Sequence, residues 1–311
     1  MIELFLKYID KYDKITIFAH FNADGDALGS QWAMKSWLDY NYPNKEVYVI
    51  GDKASSLAYM FPYPEEVSDQ TISDSLALVL DTATQQRISD QRATTAKTMF
   101  KIDHHINVDQ YGEDEIVVST ASSTCELLTT LFLEKGRDSI NETIANYLYI
   151  GLLTDTGYFS TTNTSAYSLE VASILASYNI DISKVNRDIK QVDLNQFKFQ
   201  SFLLSKIVFE EELAYVTITS EDVRKYEISH NQAKECVYLL NNIKGIRIWC
   251  LFLEDEFKPG IFNGSLRSFK VPVNKVANKY SGGGHLNASG VRALLPSDIE
   301  LLLNDLRQEL R

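Results

Sequence analysis

Histidines are rare in this chain, and three of the five lie in two short motifs that also carry carboxylates. His20 is followed by Asp24 and Asp26, and an aspartate and two histidines occupy positions 103–105. Carboxylate oxygen and neutral imidazole nitrogen suit a hard or borderline divalent metal, whereas thiolate would favour a softer one. The two motifs therefore predict a metal site with oxygen and nitrogen ligands.

Each motif follows an apolar run with the composition of a buried strand, and a third such run ends at Asp81. Ligands in open α/β sheets gather beyond the carboxyl ends of the strands, so we expect side chains at these ends to converge. One carboxylate in such a position is usually a helix cap or a turn former, but that explanation is inadequate for a whole set. Crowded carboxylates repel one another unless cations neutralise them, which again predicts metal. The residues at the three strand ends are His20, Asp24, Asp26, Asp81, Asp103 and His104.

A further candidate, Asp155, lies in the segment 151–157 at the end of an apolar helical pattern. A carboxylate there opposes the negative end of the helix dipole, which indicates a compensating cation. An aspartate beside a glycine is also common in turns, so this signal is weak on its own.

The first half of the chain alternates short apolar runs with helical patterns, which is typical of a parallel sheet with crossover helices. We therefore predict an α/β fold, with a doubly wound, mostly parallel sheet in the N-terminal domain and a smaller C-terminal α/β domain. The predicted domain boundaries are 1–185 and 207–311, joined by a helical connection over 186–206. The predicted N-terminal strands are 15–20, 46–51, 76–81 and 99–103, with helices over 27–40, 124–135, 141–154 and 164–178. The predicted C-terminal strands are 207–219, 246–253 and 261–268, with helices over 230–242 and 297–310.

The net charge of −12 argues against binding of long duplex nucleic acid, because Lys and Arg contacts to phosphates supply most of that affinity. Segment 257–292 is an exception, with six basic residues and no acidic one, which favours a small anion as ligand. No apolar run approaches the roughly 18 residues of a membrane span, and the charged N-terminus is unlike a signal peptide. Cys125, Cys236 and Cys250 have no paired spacing that would indicate disulfides or a thiolate zinc site. We therefore expect a soluble cytoplasmic protein with no membrane partner.

The acidic and histidine motifs, at 20–26, 81, 103–105 and 155, resemble in their order the four motifs of the DHH phosphoesterase superfamily. The segment 282–290 contains two short motifs, Gly282-Gly283-Gly284-His285 and Asn287-Ala288-Ser289-Gly290. This segment resembles the signature of the DHH-associated C-terminal domain. The resemblance runs from about residue 15 to residue 292. In length and domain pairing the chain is most similar to the bacterial nano-RNase and pAp-phosphatase group.

The resemblance implies two Mn²⁺ ions, with Mg²⁺ or Co²⁺ as alternatives. A pair of metals about 3.5–4 Å apart activates water and stabilises both oxygens of an in-line displacement at phosphorus. One ion would be held by His20, Asp24 and Asp81, and the other by Asp26, Asp81, His104 and Asp155, so that Asp81 bridges the pair. The implied catalytic residues are Asp81, His104, His105 and Asp103. His105 would face the phosphate or the leaving oxygen, and Asp103 would orient an imidazole through its ring N–H.

The resemblance further implies hydrolysis of short oligoribonucleotides to 5′-mononucleotides and removal of the 3′-phosphate from pAp. Glycine N–H groups can approach an anion closely, and the planar fork of arginine suits a phosphate. The residues implied to bind the terminal nucleotide are Arg267, Ser268, Gly283, Gly284 and His285. The active site would lie in the cleft between the two domains, which limits the substrate to a few nucleotides. The oligomeric state, including a homodimer, stays open.

Other functions remain to be separated from this one. A phosphodiesterase specialised for pApA, a product of cyclic di-AMP, needs the same metal and substrate sites. A non-catalytic nucleotide sensor could keep the fold, although a sensor is free to lose individual metal ligands and this chain has them all. A manganese inorganic pyrophosphatase shares the metal motifs but lacks the Gly-Gly-Gly-His segment.

Overall fold

The computed structural model describes residues 1–51, 57–241 and 243–310 of the chain. The chain divides into two compact units, Met1–Lys190 and Gln191–Arg311. Each unit has its own sheet and its own apolar core, so the predicted α/β class with a separate C-terminal sheet is confirmed. Residues 242 and 311, which end the predicted helix 230–242 and the predicted second domain, lie outside the described residues.

The first unit contains five strands, namely β1 (Lys14–Phe18), β2 (Glu46–Val49), β3 (Leu76–Leu80), β4 (Thr98–Asp103) and β5 (Asp114–Val117). They form a parallel sheet in the order β2-β1-β3-β4-β5. β3 is buried along its whole length, with Leu76, Leu78 and Leu80 in one core and Ala77 and Val79 in another. Cores on both faces explain why the inner strands are continuous apolar runs. The edge strand β5 was not predicted, because charged residues interrupt its apolar pattern.

Helices pack around this sheet, and two of them, Gly25–Asn41 and Glu142–Asp155, are in especially close contact at positions occupied by glycine. The helices of the first unit are α1 (Ile2–Lys11), α2 (Gly25–Asn41), α3 (Asp69–Ser73), α4 (Thr124–Lys135), α5 (Glu142–Asp155), α6 (Ala166–Ala176) and α7 (Ile182–Lys190). A Cβ atom on Gly29 would lie 2.7 Å from the carbonyl oxygen of Tyr147, and one on Gly151 would lie 2.2 Å from Cys125 Sγ. Glycine is therefore required at both positions. The close approach brings the start of α2 beside the end of α5.

The second unit is built on a six-stranded mixed sheet. Its helices are α8 (Leu194–Ser205), α9 (Ser220–Lys225), α10 (His230–Glu235), α11 (Val273–Lys279) and α12 (Pro296–Glu309). Its strands are β6 (Val208–Glu210), β7 (Leu213–Ile218), β8 (Ile248–Glu254), β9 (Phe262–Ser268), β10 (Gly283–His285) and β11 (Ala288–Leu294), in the order β10-β11-β9-β8-β7-β6. Only β7 and β8 pair in parallel among these described strands. Side chains of α11 and α12 pack in the core on one face, and those of α8, α9 and α10 pack in the core on the other.

Three segments of the second unit differ from the predicted elements. The predicted strand 207–219 is a hairpin, because Glu211 adopts φ 47° and turns the chain between β6 and β7. The predicted helix 230–242 is α-helical only as far as Glu235 and continues as a 3-10 helix over Cys236–Leu240. The glycine-rich segment, for which no strand was predicted, includes β10, because pairing with β11 uses backbone groups and needs no side chains.

Helix α8 lies within the segment predicted as a connection between domains. Two of its side chains, Phe199 and Leu203, are fully buried in the core of the second unit. In the part of the chain that the structure describes, no helix combines the length and the apolar character of a membrane span.

The α2–α5 contact should be intolerant of even one added carbon. We predict that Gly29→Ala lowers the free energy of unfolding by about 1–3 kcal/mol, because the new methyl group meets backbone atoms that cannot rotate away. Urea denaturation monitored by circular dichroism measures this change. Gly290→Ala is the control, since its Cβ would find no heavy atom closer than 3.8 Å. Equal stability of Gly29→Ala and the unaltered protein would contradict the packing described here.

Candidate metal centre

Three neighbouring strands of the parallel sheet end at the same edge, and a polar residue follows or ends each of them. His20 follows β1, Asp81 follows β3, and Asp103 ends β4. Asp24 is the N-cap of α2, where its Oδ1 accepts the backbone N–H groups of residues 26 and 27, each at 3.0 Å. The other oxygen of Asp24 is directed at His20, with 3.8 Å between Oδ2 and Nε2. The parallel topology therefore brings distant motifs to one place, as predicted from the strand ends.

The structure gathers seven of the predicted site residues into three overlapping sets of ligand atoms. Within each set the ligand atoms lie no more than 4.8 Å from one another. The sets are His20, Asp24 and Asp81; Asp26, His104 and Asp155; and Asp81, His104 and His105.

His104 belongs to two of these three sets, and so does Asp81. Oδ2 of Asp81 lies 3.5 Å from His20 Nε2, and its Oδ1 lies 3.6 Å from His104 Nε2. The side chain is only 3% exposed, and its backbone adopts φ 49°, which is uncommon for a residue other than glycine. The two oxygens of one carboxylate therefore face two different groups of ligands.

Backbone carbonyl groups orient two of the imidazoles. His20 Nδ1 lies 2.9 Å from the carbonyl oxygen of Phe21, and His104 Nδ1 lies 3.2 Å from that of Ala121. A carbonyl oxygen can only accept, so Nδ1 carries the proton in both rings and Nε2 is left to face the carboxylates. His104 Nε2 also lies 3.6 Å from Asp155 Oδ2. Both rings thus present a nitrogen lone pair, when neutral, to the centre of the cluster.

The start of α4 holds Asp26 and Asp81. Asp26 is 1% exposed, and its two oxygens accept the backbone N–H groups of Thr124 and Cys125 at 2.7 and 2.9 Å. The hydroxyl of Thr124 donates to Asp81 Oδ1 at 3.1 Å. The sequence predicted a helix that starts at Thr124 but did not identify this residue as a partner of Asp81. The Ser-Ser-Thr run just beyond the histidine motif was the available signal, because free N–H groups at a helix start attract anions.

Asp103 lies beside the cluster and has a different neighbour. Its Oδ1 lies 2.7 Å from His105 Nδ1, and its Oδ2 lies 3.6 Å from Lys101 Nζ. Lys101 is fully buried, and its ammonium also donates to the carbonyl oxygens of Ala83 and Asp109. Sequence reasoning missed Lys101, although a lysine in an apolar strand next to an aspartate is unusual enough to indicate a buried partner. Asp103 is thus neutralised by a lysine and is placed to orient the His105 ring.

Burial disfavours the charged form of each group in the cluster, but the neighbouring charges decide the outcome. Burial acts to lower the pKa of His20 and that of His104, yet the surrounding carboxylates outweigh it and raise each to about 9. Burial raises the pKa of Asp155 to about 6. Burial and the charges of Asp81 and Asp155 raise the pKa of Asp26 well above its usual value. The cluster therefore retains protons at neutral pH, and a divalent cation would replace them.

The donor set fits divalent metal ions. Oxygen and imidazole nitrogen are its only ligand types among the described residues, and the nearby Cys125 is buried with a thiol pKa raised well above its usual value by burial. The three sets, which overlap at Asp81 and at His104, offer enough ligand atoms for more than one ion.

A groove of about 860 Å³ lies on the sheet of the second unit, bounded by α10, β8, β9 and β11. We call it the β9 groove. Of the residues predicted to bind substrate, Arg267 and Gly283 line it. Ser268 does not, because its hydroxyl is buried and donates to the carbonyl oxygen of Val271. Gly284 and His285 are exposed in β10 but lie outside the lining of the groove.

Two glycines of the Gly-Gly-Gly-His motif are needed by the hairpin of β10 and β11. A Cβ atom on Gly282 would lie 2.2 Å from the carbonyl oxygen of Gly290, and Gly284 adopts φ 138°. The guanidinium of Arg267, on the neighbouring strand, donates to the carbonyl oxygens of Leu266 and Ser289 at 2.9 and 3.4 Å. The hairpin therefore supports the arginine as well as shaping the groove wall.

Comparison with known proteins identifies two families along the chain. Residues 14–152 match the DHH family, N-terminal domain, and residues 211–311 match the DHHA1 domain. A protein of Bacillus subtilis (strain 168), named bifunctional oligoribonuclease and PAP phosphatase NrnA, is 33% identical over 97% of this chain and 96% of its own length. A protein of Streptococcus mutans serotype c, named probable bifunctional oligoribonuclease and PAP phosphatase NrnA, is 31% identical over 98% of both chains.

A solved structure has the same fold over almost the whole chain. The crystal structure of an exopolyphosphatase-related protein from Bacteroides fragilis matches with a TM-score of 0.88 and 27% sequence identity, covering 99% of this chain and 95% of the other. Both domain families and near full-length relatives agree with the motifs described above. The chain therefore belongs to the DHH family of phosphoesterases and carries a DHHA1 domain in its second unit.

Proposed function

We propose that the protein is a Mn²⁺-dependent phosphoesterase that hydrolyses short oligoribonucleotides to 5′-mononucleotides and removes the 3′-phosphate from pAp. The position of Asp81 carries this proposal, because its two oxygens face separate groups of ligand atoms and could join two ions. The names of the relatives from B. subtilis and S. mutans support both classes of substrate.

We assign His20, Asp24 and Asp81 to one ion, and Asp26, Asp81, His104 and Asp155 to the other. Two divalent ions supply Lewis-acid activation of water and stabilise charge that develops at phosphorus. Mn²⁺ suits the mixture of carboxylate and imidazole donors, and Mg²⁺ or Co²⁺ are the alternatives. Backbone N–H groups at the start of α4 and the hydroxyl of Thr124 keep two of these carboxylates in place before any ion binds.

His105 is the side chain best placed to act on the phosphate or the leaving oxygen. Its hydrogen bond to Asp103 raises its pKa, and Nδ1 donates to that carboxylate. Nε2 is then the atom that can donate a proton or a hydrogen bond to an oxygen of the substrate. Its side chain is 36% exposed, so a substrate can reach it.

We place recognition of the substrate in the second unit, with Arg267, Gly283, Gly284 and His285 as the binding residues. Ser268 is left out because its hydroxyl is buried and donates to Val271. Arg267 contributes a positive charge at the wall of a groove that the hairpin of β10 and β11 shapes. The net charge of −12 argues against long duplexes as substrates. Three buried free cysteines are consistent with a reducing, cytoplasmic location.

The first test compares substrates. With Mn²⁺, we expect hydrolysis of pAp, pApA and short RNA but not of pyrophosphate, measured by chromatography of the products. Turnover of pApA alone would favour the specialised phosphodiesterase, and tight binding of pAp without turnover would favour a sensor. Rapid hydrolysis of pyrophosphate would contradict the proposed function.

We predict that Asp81→Asn reduces kcat by more than about a hundredfold. Removing a residue that only hydrogen-bonds to a metal ligand already lowers activity about 10–100-fold, and we propose Asp81 as a ligand itself. Asparagine tolerates the left-handed backbone that φ 49° requires, so the fold should persist. Asp39→Asn, an exposed aspartate in α2, is the control. Normal turnover by Asp81→Asn would refute the assignment of a bridging ligand.

We predict that Mn²⁺ raises the thermal unfolding temperature, since a ligand at about 100 times its Kd adds about 2.7 kcal/mol. The gain should be larger at pH 8 than at pH 6, because protons on the raised pKa groups of His20, His104 and Asp155 compete with the ion. Differential scanning calorimetry with and without a chelator measures it. An equal gain in Asp81→Asn would show that the ion binds elsewhere.

We predict that Arg267→Ala raises KM for pAp about tenfold or more and changes kcat little, because hydrogen bonds to charged groups contribute about 1.5–3 kcal/mol. Arg267→Lys should fall between the two, since lysine lacks the planar fork. Arg224→Ala, an exposed arginine in α9, is the control. A fall in kcat with unchanged KM would contradict a positioning role.

A further inference from the structure

Lys101 is a fully buried lysine within β4, and the proposed function assigns it no role. Its neighbours Phe100 and Ile102 pack in one core of the first unit, so the lysine side chain points to the opposite face of the sheet, where Tyr111 packs. A lysine is almost never fully buried unless its charge is paired, because removing an ammonium group from water is costly. The contacts of this ammonium therefore indicate what it does.

The ammonium of Lys101 connects the loops that follow β3 and β4. It donates to the carbonyl oxygen of Ala83 at 3.2 Å and to that of Asp109 at 3.1 Å. It also lies 4.7 Å from the centre of the Tyr111 ring, and the hydroxyl of that ring donates to the carbonyl oxygen of Thr82 at 2.6 Å. The loop after β3 begins at the proposed bridging aspartate, and the loop after β4 begins with the two histidines. One buried charge thus holds together the two loops that carry proposed metal ligands.

A second contact of Lys101 leads to His105 through Asp103. Oδ1 of Asp103 accepts hydrogen bonds from the backbone N–H of His105 at 3.2 Å and from its ring Nδ1 at 2.7 Å. Oδ2 of Asp103 is buried and has no hydrogen-bond donor among the described residues, and the ammonium of Lys101 lies 3.6 Å away. The ion pair with Lys101 is therefore the interaction that compensates this oxygen.

Loss of the ammonium would leave a buried carboxylate with one uncompensated oxygen. Such a charge is strongly disfavoured, so the carboxylate of Asp103 would turn toward another donor or toward water. Its hydrogen bond to the His105 ring sets the direction in which Nε2 points, and a displacement of about 1 Å in a reacting group can cost about a hundredfold in rate. The partners of Lys101 in the described part of the chain include no proposed metal ligand, so its effect on the reaction would be transmitted by Asp103.

We propose that Lys101 is a positioning residue of the reaction, which holds Asp103 and the loop after β4 so that Nε2 of His105 faces an oxygen of the substrate. The proposal rests on the proposed function, because it uses the role assigned to His105 there. Lys101 touches neither the substrate nor an ion, and it acts through Asp103. Its loss should therefore slow the chemical step and leave substrate binding nearly unchanged.

Lys101→Met tests this proposal, because methionine keeps an unbranched apolar side chain and removes the charge. With pAp and Mn²⁺, we expect kcat to fall about 10- to 100-fold and KM to change by less than about twofold. Lys45→Met is the matched control, since the Lys45 side chain is 11% exposed and its ammonium donates to the carbonyl oxygen of Tyr12 at 2.9 Å. Lys45 pairs with Asp13, which precedes β1 at the end of the sheet opposite the site, so this variant should keep the kcat of the unaltered protein.

A double-mutant cycle separates positioning from a general loss of structure. In a protein that already carries His105→Ala, Lys101→Met should lower kcat by less than about twofold, because the residue that it positions is gone. An undiminished loss in that background would overturn the proposal. If Lys101→Met alone does not fold, Asp103→Asn is compared with the variant that combines Asp103→Asn and Lys101→Met, in which both buried charges are removed together. These two proteins should have the same kcat within about twofold, and a further loss of about tenfold would equally overturn the proposal.

Nuclear magnetic resonance of the imidazole protons tests the same contact without turnover. In the full chain, labelled at its histidine nitrogens and treated with a chelator, the hydrogen-bonded Nδ1 proton of His105 should give a downfield resonance that is absent in His105→Ala. We expect Lys101→Met to lose this resonance and Lys45→Met to keep it. If the unaltered protein hydrolyses no substrate, the proposed function is wrong, and the resonance still decides the role of Lys101. If Lys101→Met keeps both the resonance and the kcat of the unaltered protein, Lys101 is not a positioning residue.

Discussion

Repulsion among buried carboxylates is the constraint on which the first unit depends. Asp26 and Asp81 are almost fully buried, and Asp155 approaches them through His104. Ionised groups in such a place destabilise a fold unless opposite charge or hydrogen bonds compensate them. Imidazoles, the N–H groups at the start of α4 and the hydroxyl of Thr124 supply part of this compensation. Protons on the groups with raised pKa values supply more of it, and a divalent cation that replaced them would link occupancy of the site to the stability of the domain.

The rest of the first unit holds these side chains at fixed positions relative to one another. Parallel strands deliver three motifs to one edge of the sheet, and the glycine contact between α2 and α5 brings the carboxylates at their facing ends together. Lys101 forms a buried ion pair with Asp103, the carboxylate that orients the His105 ring. The groove of the second unit is mixed in charge, because Lys234, Arg267 and Arg292 line it together with Glu254, Asp255 and Glu256.

Much of the fold could be predicted because apolar periodicity is a local property. Four of the five strands in the first sheet and the helix Thr124–Lys135 follow from it directly. The edge strand β5 and the glycine strand β10 could not be found this way, because pairing with a neighbour holds them in place and their own side chains do not indicate a strand. The turn at Glu211 was hidden for the same reason, since nothing in a run of glutamates marks a left-handed residue.

The sequence alone determined which residues could ligate a metal and that they lie at the ends of strands. Both properties are local, because residue type and the apolar pattern of a strand can be identified without knowing the fold. Tertiary structure decided how the side chains meet. Only the packed chain shows that the two oxygens of Asp81 face different imidazoles, that Thr124 donates to it, and that Lys101 is buried against Asp103. The contacts of Asp81 join residues about 20 to 60 positions apart, so their geometry depends on the sheet register and on helix packing rather than on any local pattern.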